Sequence, residues 1–433
     1  MKRKLLFIPS YYYLTNPLYE SILRKRPDWH TVYFDSQDPR FYQLNKRNAQ
    51  KKTIQAMFDE ACEISIQDML PYFSYYFMFV REDIPPCKKW DISRFPRYWE
   101  YQRRVFTALD RIKPDGIIQA TDIAYSSKLV DSWARKRKVN VFTIQPSFID
   151  FVLFRKRHSF KTKIKNVLKQ YILRIPLDPI QFVYGNEYPR GWLFLWGEYF
   201  RDFYKGTPIY DHIRITGNPV FDEVLKHAES GDHSPLRSAL GIPPGKKVIL
   251  ICTQDLKRII GNESSLLIQT LYLELVKNLP EHYFIVKVHP REEPEQYHRI
   301  FEKVPPGIIQ IIQDKRLHEL FPITDVQVSV SSYSSLEAVV FGVPIVLVNP
   351  SNRIRLFDYF NGEVELKATD SENLVRNVKK ALSLDYRSIF LPKREKFLEK
   401  RLGFLDGECA ARVIEEINRI IDESKSERTR SGR

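Results

Sequence analysis

Ser331-Ser332-Tyr333-Ser334-Ser335-Leu336-Glu337 follows the apolar run Val326-Gln327-Val328-Ser329-Val330. After it come a short apolar stretch, Ala338-Val339-Val340-Phe341, the stop Gly342-Val343-Pro344, and a second apolar run, Ile345-Val346-Leu347-Val348. The order is strand, polar loop, helix, glycine, strand, which is the grammar of a parallel α/β unit. A loop of serines at a helix N-terminus offers hydroxyls, backbone N–H groups and the positive end of the helix dipole to one ligand. The ligand chemistry that matches all three is a phosphate.

The same grammar extends outward from this unit. Upstream, residues 247–252, 283–288 and 308–312 read as strands, with helices over 264–278 and 293–303. The strand over 283–288 ends in His289-Pro290-Arg291-Glu292. Strand ends in open parallel sheets are where such folds bind nucleotides, so this turn joins the serine loop as a candidate site. Further upstream, strands are expected at 5–8, 31–34, 116–120, 140–145, 191–196 and 213–216, and helices at 16–23, 45–70, 97–112 and 126–135. Strands separated by helices of this length predict doubly wound parallel sheets. Gly217-Asn218-Pro219 breaks the pattern, and the polar, Gly/Pro-rich stretch over 230–245 reads as an inter-domain linker. The expected organisation is a first Rossmann-like domain over 1–220 and a second over 221–395. A helix over 396–423 packs back on the first domain, and 424–433 is a disordered tail.

Composition narrows the classes. The chain has 433 residues, 43% of them hydrophobic, enough for two or three cores. Its four cysteines, Cys62, Cys87, Cys252 and Cys409, show no CxxC spacing. That argues for a reducing, cytoplasmic setting and against a structural zinc; no metal site is expected. The basic start, Met1-Lys2-Arg3-Lys4, precedes an apolar run that Pro9 ends too early for a signal peptide, so it reads as a buried strand. No apolar run is long enough to span a bilayer. The net charge of +15 calls for an anionic partner or reflects a basic surface. Residues 155–174 form a basic amphipathic stretch that suits an anionic membrane surface, a polyanionic acceptor or plain solvent. GxGxxG and GxxxxGK[ST] are both missing, which counts against NAD enzymes and P-loop ATPases, and no RNA-binding pattern is present, so no nucleic-acid partner is expected.

Val288-His289-Pro290-Arg291, the serine loop Ser331 to Glu337, and Phe341-Gly342-Val343-Pro344 resemble the donor-binding half of GT-B glycosyltransferases. The branch they resemble builds bacterial capsule and surface polysaccharides: polysialyltransferases, Kdo-type capsule transferases and CDP-glycerol glycerophosphotransferases. Pro114-Asp115-Gly116-Ile117-Ile118, Thr121-Asp122 and Ile215-Thr216-Gly217-Asn218-Pro219-Val220-Phe221-Asp222 are also similar to hydrolysing UDP-GlcNAc 2-epimerases and lipid A disaccharide synthases. The serine loop departs from the epimerases: it is not glycine-rich and lacks their paired glutamates. The resemblance implies a GT-B fold, α/β, with two Rossmann-like domains facing a cleft. It implies a metal-independent transferase that uses a CMP-, UDP- or CDP-linked donor and a saccharide or glycolipid acceptor, with no permanently bound cofactor. A UDP-N-acetylhexosamine 2-epimerase and a non-catalytic membrane- or nucleic-acid-binding scaffold are the alternatives.

Within that frame His289 binds or protonates the departing phosphate, or simply satisfies the loop before Pro290. Arg291 adds a phosphate-matching guanidinium. Ser331, Ser332, Ser334 and Ser335 are candidate donor contacts. Ser334-x-x-Glu337 also fits a capping box, and Glu337 is a candidate acceptor of ribose hydroxyls. Gly217 and Asn218 serve as hinge or as a backbone contact to the nucleotide. Asn352 and Arg353 meet the donor sugar or form a solvated loop. Asp122, after the strand over 116–120, deprotonates the acceptor or caps the next helix, with Glu187 and Asp150 as weaker candidates.

Overall fold

Nearly every apolar run becomes a short strand buried on both faces, as parallel sheets require. The computed structural model describes residues 2–9, 12–25, 27–35, 54–64, 95–120, 125–146, 190–229, 231–257, 261–330, 332–350 and 359–431. The chain divides into two units, Met1–Asp222 with Arg401–Arg433, and Glu223–Lys400.

The first unit holds β1 (Arg3–Ile8), β2 (Trp29–Asp35), β3 (Glu60–Glu63), β4 (Gly116–Gln119), β5 (Asn140–Ile144), β6 (Gly191–Leu195) and β7 (Ile213–Ile215). They form one parallel sheet in the order β3-β2-β1-β4-β5-β6-β7. Side chains alternate between its faces. Leu6, Ile8, Val32 and Ile117 pack with Val105 and Leu109 of the helix Phe95–Ile112 and with Trp133 of the helix Tyr125–Arg137. Leu5, Phe7, Ile118 and Phe142 pack with Tyr19 and Ile22 of the helix Tyr12–Arg24. The same face takes Val413, Ile417, Ile420 and Ile421 of the C-terminal helix Cys409–Ser431.

The second unit holds β8 (Val248–Cys252), β9 (Tyr283–Lys287), β10 (Ile309–Ile312), β11 (Val326–Ser329), β12 (Ile345–Val348) and β13 (Glu365–Ala368). The order is β10-β9-β8-β11-β12-β13, again parallel throughout. Both sheets carry the Rossmann strand order. The chain winds one way from β8 through β9 to β10, then restarts at β11 on the other side of β8. The switch point therefore lies where β8 and β11 end.

Several elements differ from the sequence reading. Residues 60–63, expected in a helix over 45–70, form the edge strand β3, which pairs with β2. Its Glu-Ala-Cys-Glu sequence has no apolar run to announce it, because an edge strand hydrogen-bonds on one side only. The helix Ser234–Ala239 occupies the stretch read as linker. β13 and the helix Ser371–Leu382, capped by the Asp370 side chain on Asn373 N–H, lie in a region given no elements. The helix expected over 396–423 is two helices, Leu384–Leu402 and Cys409–Ser431, parted by Gly403 (φ +66°) and Gly407 (φ +76°). The second runs through most of the stretch expected as a tail. Its Arg419 pairs with Glu416 at i−3 and Glu423 at i+4, the spacing that supports an exposed helix.

Candidate functional site

In the second unit the turn after β9 is bound by its neighbours on both sides. His289 N–H donates to Thr253 Oγ1, just past β8, at 2.9 Å. The Thr253 hydroxyl in turn donates to Glu292 Oε2. Tyr297 OH donates to Glu292 Oε1 at 2.8 Å. From the other side Gln313, just past β10, donates its amide to the carbonyls of His289 (2.9 Å) and Glu292 (2.8 Å). Lys287 Nζ donates to the Gln313 carbonyl at 2.9 Å, so that buried ammonium is satisfied. Inside the turn, Arg291 N–H donates to His289 Nδ1 at 3.2 Å. His289 and Arg291 are half-buried and Pro290 is exposed. Burial pushes the Glu292 carboxyl up to about 7, against the pull of its two hydroxyl donors.

The serine turn after β11 opens the helix Tyr333–Val340, and its N-cap is Ser332. Ser332 Oγ accepts from Ser334 N–H at 3.2 Å and from Ser334 Oγ at 2.7 Å. The capping box expected from Ser334 and Glu337 is therefore not formed. The cap lies two residues earlier, and Glu337 sits a turn too deep to reach back. Ser334 and Ser335 are buried, and protein partners take their hydroxyls. Gln327 Nε2 donates to Ser334 Oγ at 2.8 Å, and Ser335 Oγ meets Ser329 Oγ at 2.8 Å. These two serines brace the turn from inside, whereas Ser332 is half-buried at its mouth. The Glu337 carboxyl has no hydrogen-bond partner among the described residues, and burial alone raises it to about 8. Beneath lies Cys252 at the end of β8, whose buried thiol is raised to about 11 despite hydrogen bonds to Gln327 and Ser334. At the far end of the helix Arg394 Nε donates to the Val339 carbonyl at 2.6 Å, and a second nitrogen to Val340.

The two turns end β9 and β11, with only β8 between them. Two strand spacings separate them, about 10 Å. The sequence reading named both turns but missed Thr253, Gln313 and Gln327. Thr253 was legible as the residue that ends β8 at the switch point. Gln313 and Gln327 carried no signal, since their role is to fill hydrogen bonds that only the register creates.

Gly217 and Asn218 have a different place, in the first unit. Gly217 takes φ +76°, and a Cβ there would collide with the Cys409 sulfur. Asn218 is fully buried, and its side-chain oxygen accepts Val220 N–H at 3.1 Å. Nearby, Asp222 accepts Cys409 N–H (3.0 Å) and Ala410 N–H (2.8 Å), capping the C-terminal helix. This motif docks that helix. Asp122, Asp150, Glu187, Ser331, Asn352, Arg353 and the basic stretch 155–174 lie outside the described residues. Among the described residues no cluster of three or more His, Cys, Asp or Glu side chains could hold a metal ion, and no helix is long and apolar enough to cross a membrane.

Two parallel Rossmann-like sheets, the second with two polar turns beside its switch point, are the architecture of GT-B transferases. The family model described as CDP-Glycerol:Poly(glycerophosphate) glycerophosphotransferase matches residues 198–419, just over half of the chain, and the chain belongs to that family. No curated protein sequence matches it significantly. Among solved structures, UDP-GlcNAc 2-epimerase from Neisseria meningitidis bound to UDP-GlcNAc is 15% identical. It covers 97% of this chain and 100% of its own, with a TM-score of 0.57. A glycosyltransferase from Rickettsia africae is 11% identical over 97% of this chain and 99% of its own, at 0.56. The wall teichoic acid polymerase TagF, as a variant soaked with CDPG, is 12% identical over 98% and 89%, at 0.54. All three share the fold.

Proposed function

We propose that the protein transfers a group from a pyrimidine-nucleotide-linked donor, with a CDP-linked polyol or sugar first in line, to a hydroxyl of a surface polysaccharide or glycolipid. The observation that carries this reading is the pair of anion-matched turns flanking β8. His289 and Arg291 present cationic and N–H donors at one, and the Ser332-capped helix presents its positive end at the other. Family membership supports the nucleotide-activated donor. These groups neutralise the leaving phosphate, so the reading calls for no metal. Glu337 accepts from the ribose hydroxyls, Ser331 and Ser332 contact the phosphates, and Asp122 takes the acceptor proton. The setting is the cytoplasmic face of a membrane, with residues 155–174 on anionic lipid.

The test is a thermal-shift panel of CMP, CDP, UDP, GDP and CDP-glycerol. A ligand that binds the native state raises the melting temperature by mass action. One pyrimidine nucleotide is expected to stabilise the protein, and His289→Ala to remove most of that shift, a loss of roughly 1.5–3 kcal/mol of binding. Equal shifts for all five ligands would refute a pyrimidine-specific donor, and none at all would refute a nucleotide donor. Turnover of a UDP-sugar with no acceptor present would point instead to an epimerase, whose fold this chain shares.

A further inference from the structure

We propose that Thr253 and Glu292 are positioning residues that hold His289 in one tautomer, with its proton on Nε2. The inference rests on the reading that His289 meets the donor phosphate, but its first test does not. The chain of bonds runs in one direction. Tyr297 OH and Thr253 OH both donate to Glu292, one to each carboxylate oxygen. Thr253 can therefore offer its oxygen only as an acceptor, and it takes His289 N–H at 2.9 Å. With the backbone of His289 pinned there, and its carbonyl held by Glu292 N–H (2.9 Å) and Gln313 (2.9 Å), the turn closes tightly. Closure brings Arg291 N–H onto His289 Nδ1 at 3.2 Å. A ring nitrogen that accepts a backbone N–H carries no proton of its own, so in the neutral ring the proton sits on Nε2.

The consequence is a division of labour. A neutral imidazole with Nδ1 engaged offers a donor, Nε2–H, to a phosphate oxygen. It has no second proton to hand over without becoming an imidazolate. His289 therefore acts by hydrogen bonding rather than by protonating the leaving group. The charge in the turn comes from Arg291. The ionisable groups that act on Glu292 include Asp255 from the β8 turn, Tyr297 from the helix Pro294–Ile300 and Tyr272 from the helix Asn262–Asn278. Asp255 and the burial both work against the Glu292 charge, while the two hydroxyl donors favour it.

The experiment is ¹⁵N spectroscopy of protein labelled at histidine, at pH 8, where an ordinary histidine is neutral. His289→Ala identifies the resonance. The wild type is expected to show a single Nε2–H tautomer. Thr253→Ser, which keeps the hydroxyl, is expected to match it. Thr253→Val and Glu292→Ala are expected to show both tautomers in exchange, and to bind CDP about tenfold more weakly. A wild-type ring protonated on Nδ1 would overturn the proposal without any variant or ligand. So would an unchanged tautomer in both variants, since a purely structural role lowers the melting temperature and leaves the ring alone. A wild type that shows the tautomer but no CDP binding would refute a CDP-linked donor and leave this inference standing.

Discussion

Glu292 and Glu337 each keep a raised carboxyl pKa, but they do so for different reasons, and the difference predicts how each responds to pH. Glu292 has two hydroxyl donors and still rises to about 7, whereas Glu337 has no described partner and rises to about 8. A carboxyl whose folded pKa lies above its unfolded value of 4.5 holds more protons folded than unfolded in the window between them. Its contribution to stability is therefore lost as pH rises from about 4.5 to about 7. Glu292→Gln cannot titrate. Relative to wild type it should gain stability steadily from pH 5 to pH 8, by at most about 3 kcal/mol, on top of a constant offset for altered hydrogen bonds. Melting temperatures of both proteins across that range decide, and a constant difference would show that the carboxyl is not buried enough to matter. The serines separate in the same manner. Ser332→Ala loses the N-cap, worth about 1 kcal/mol. Ser334→Ala strips the fully buried Gln327 amide of its hydroxyl acceptor, which costs about 1–3 kcal/mol. Thermal unfolding should rank Ser334→Ala as the more damaging, and the opposite order would make Ser334 a surface group.

The helix Tyr333–Val340 is short, only eight residues, and a helix of that length does not hold itself in water. Both of its ends are tied. Ser332 caps the first turn, and Arg394 closes the last by donating to the carbonyls of Val339 and Val340. A cation at a helix C-terminus also complements the dipole. Arg394→Met keeps the apolar stem but removes these donors. It should cost about 1–3 kcal/mol and weaken nucleotide binding, because the serine turn rides on this helix. An unchanged melting temperature and an unchanged affinity would mean that packing alone holds the helix. Arg394 also marks how far the sequence could be read. The serine helix was plain from its apolar run and glycine stop, because burial writes itself into composition. The N-cap was misplaced by two residues, since Ser332 and Ser334 are equally good caps and only the backbone geometry chooses. Arg394, some 55 residues further on, was unreadable, as were Gln313 and Gln327. Each is a polar residue whose partner is set by strand order, not by neighbouring sequence. β3 and β13 were missed because an edge strand needs apolar side chains on fewer faces.

At the scale of the whole chain, both units repeat one strand order, and each has one switch point: β8 with β11 in the second unit, β1 with β4 in the first. Under the proposed function the two turns of the second meet the donor phosphate. The proposed function asks of the first unit a base for the acceptor hydroxyl. In the sequence Asp122 lies three positions beyond Gln119, the last residue of β4, and under the proposed function it is the base. A carboxylate there can take the acceptor proton as the new bond forms. Asp122→Asn is nearly isosteric, so folding and nucleotide binding should survive. It cannot take a proton at neutral pH. Turnover should fall by roughly 10²–10⁴, the span for loss of a general base, while the thermal shift with nucleotide stays at the wild-type value. Single-turnover rates with donor and acceptor separate this from a binding defect, because a lost base slows the chemical step at saturating substrate. A variant with full activity would remove Asp122 from the mechanism and turn the search to Glu187 and Asp150.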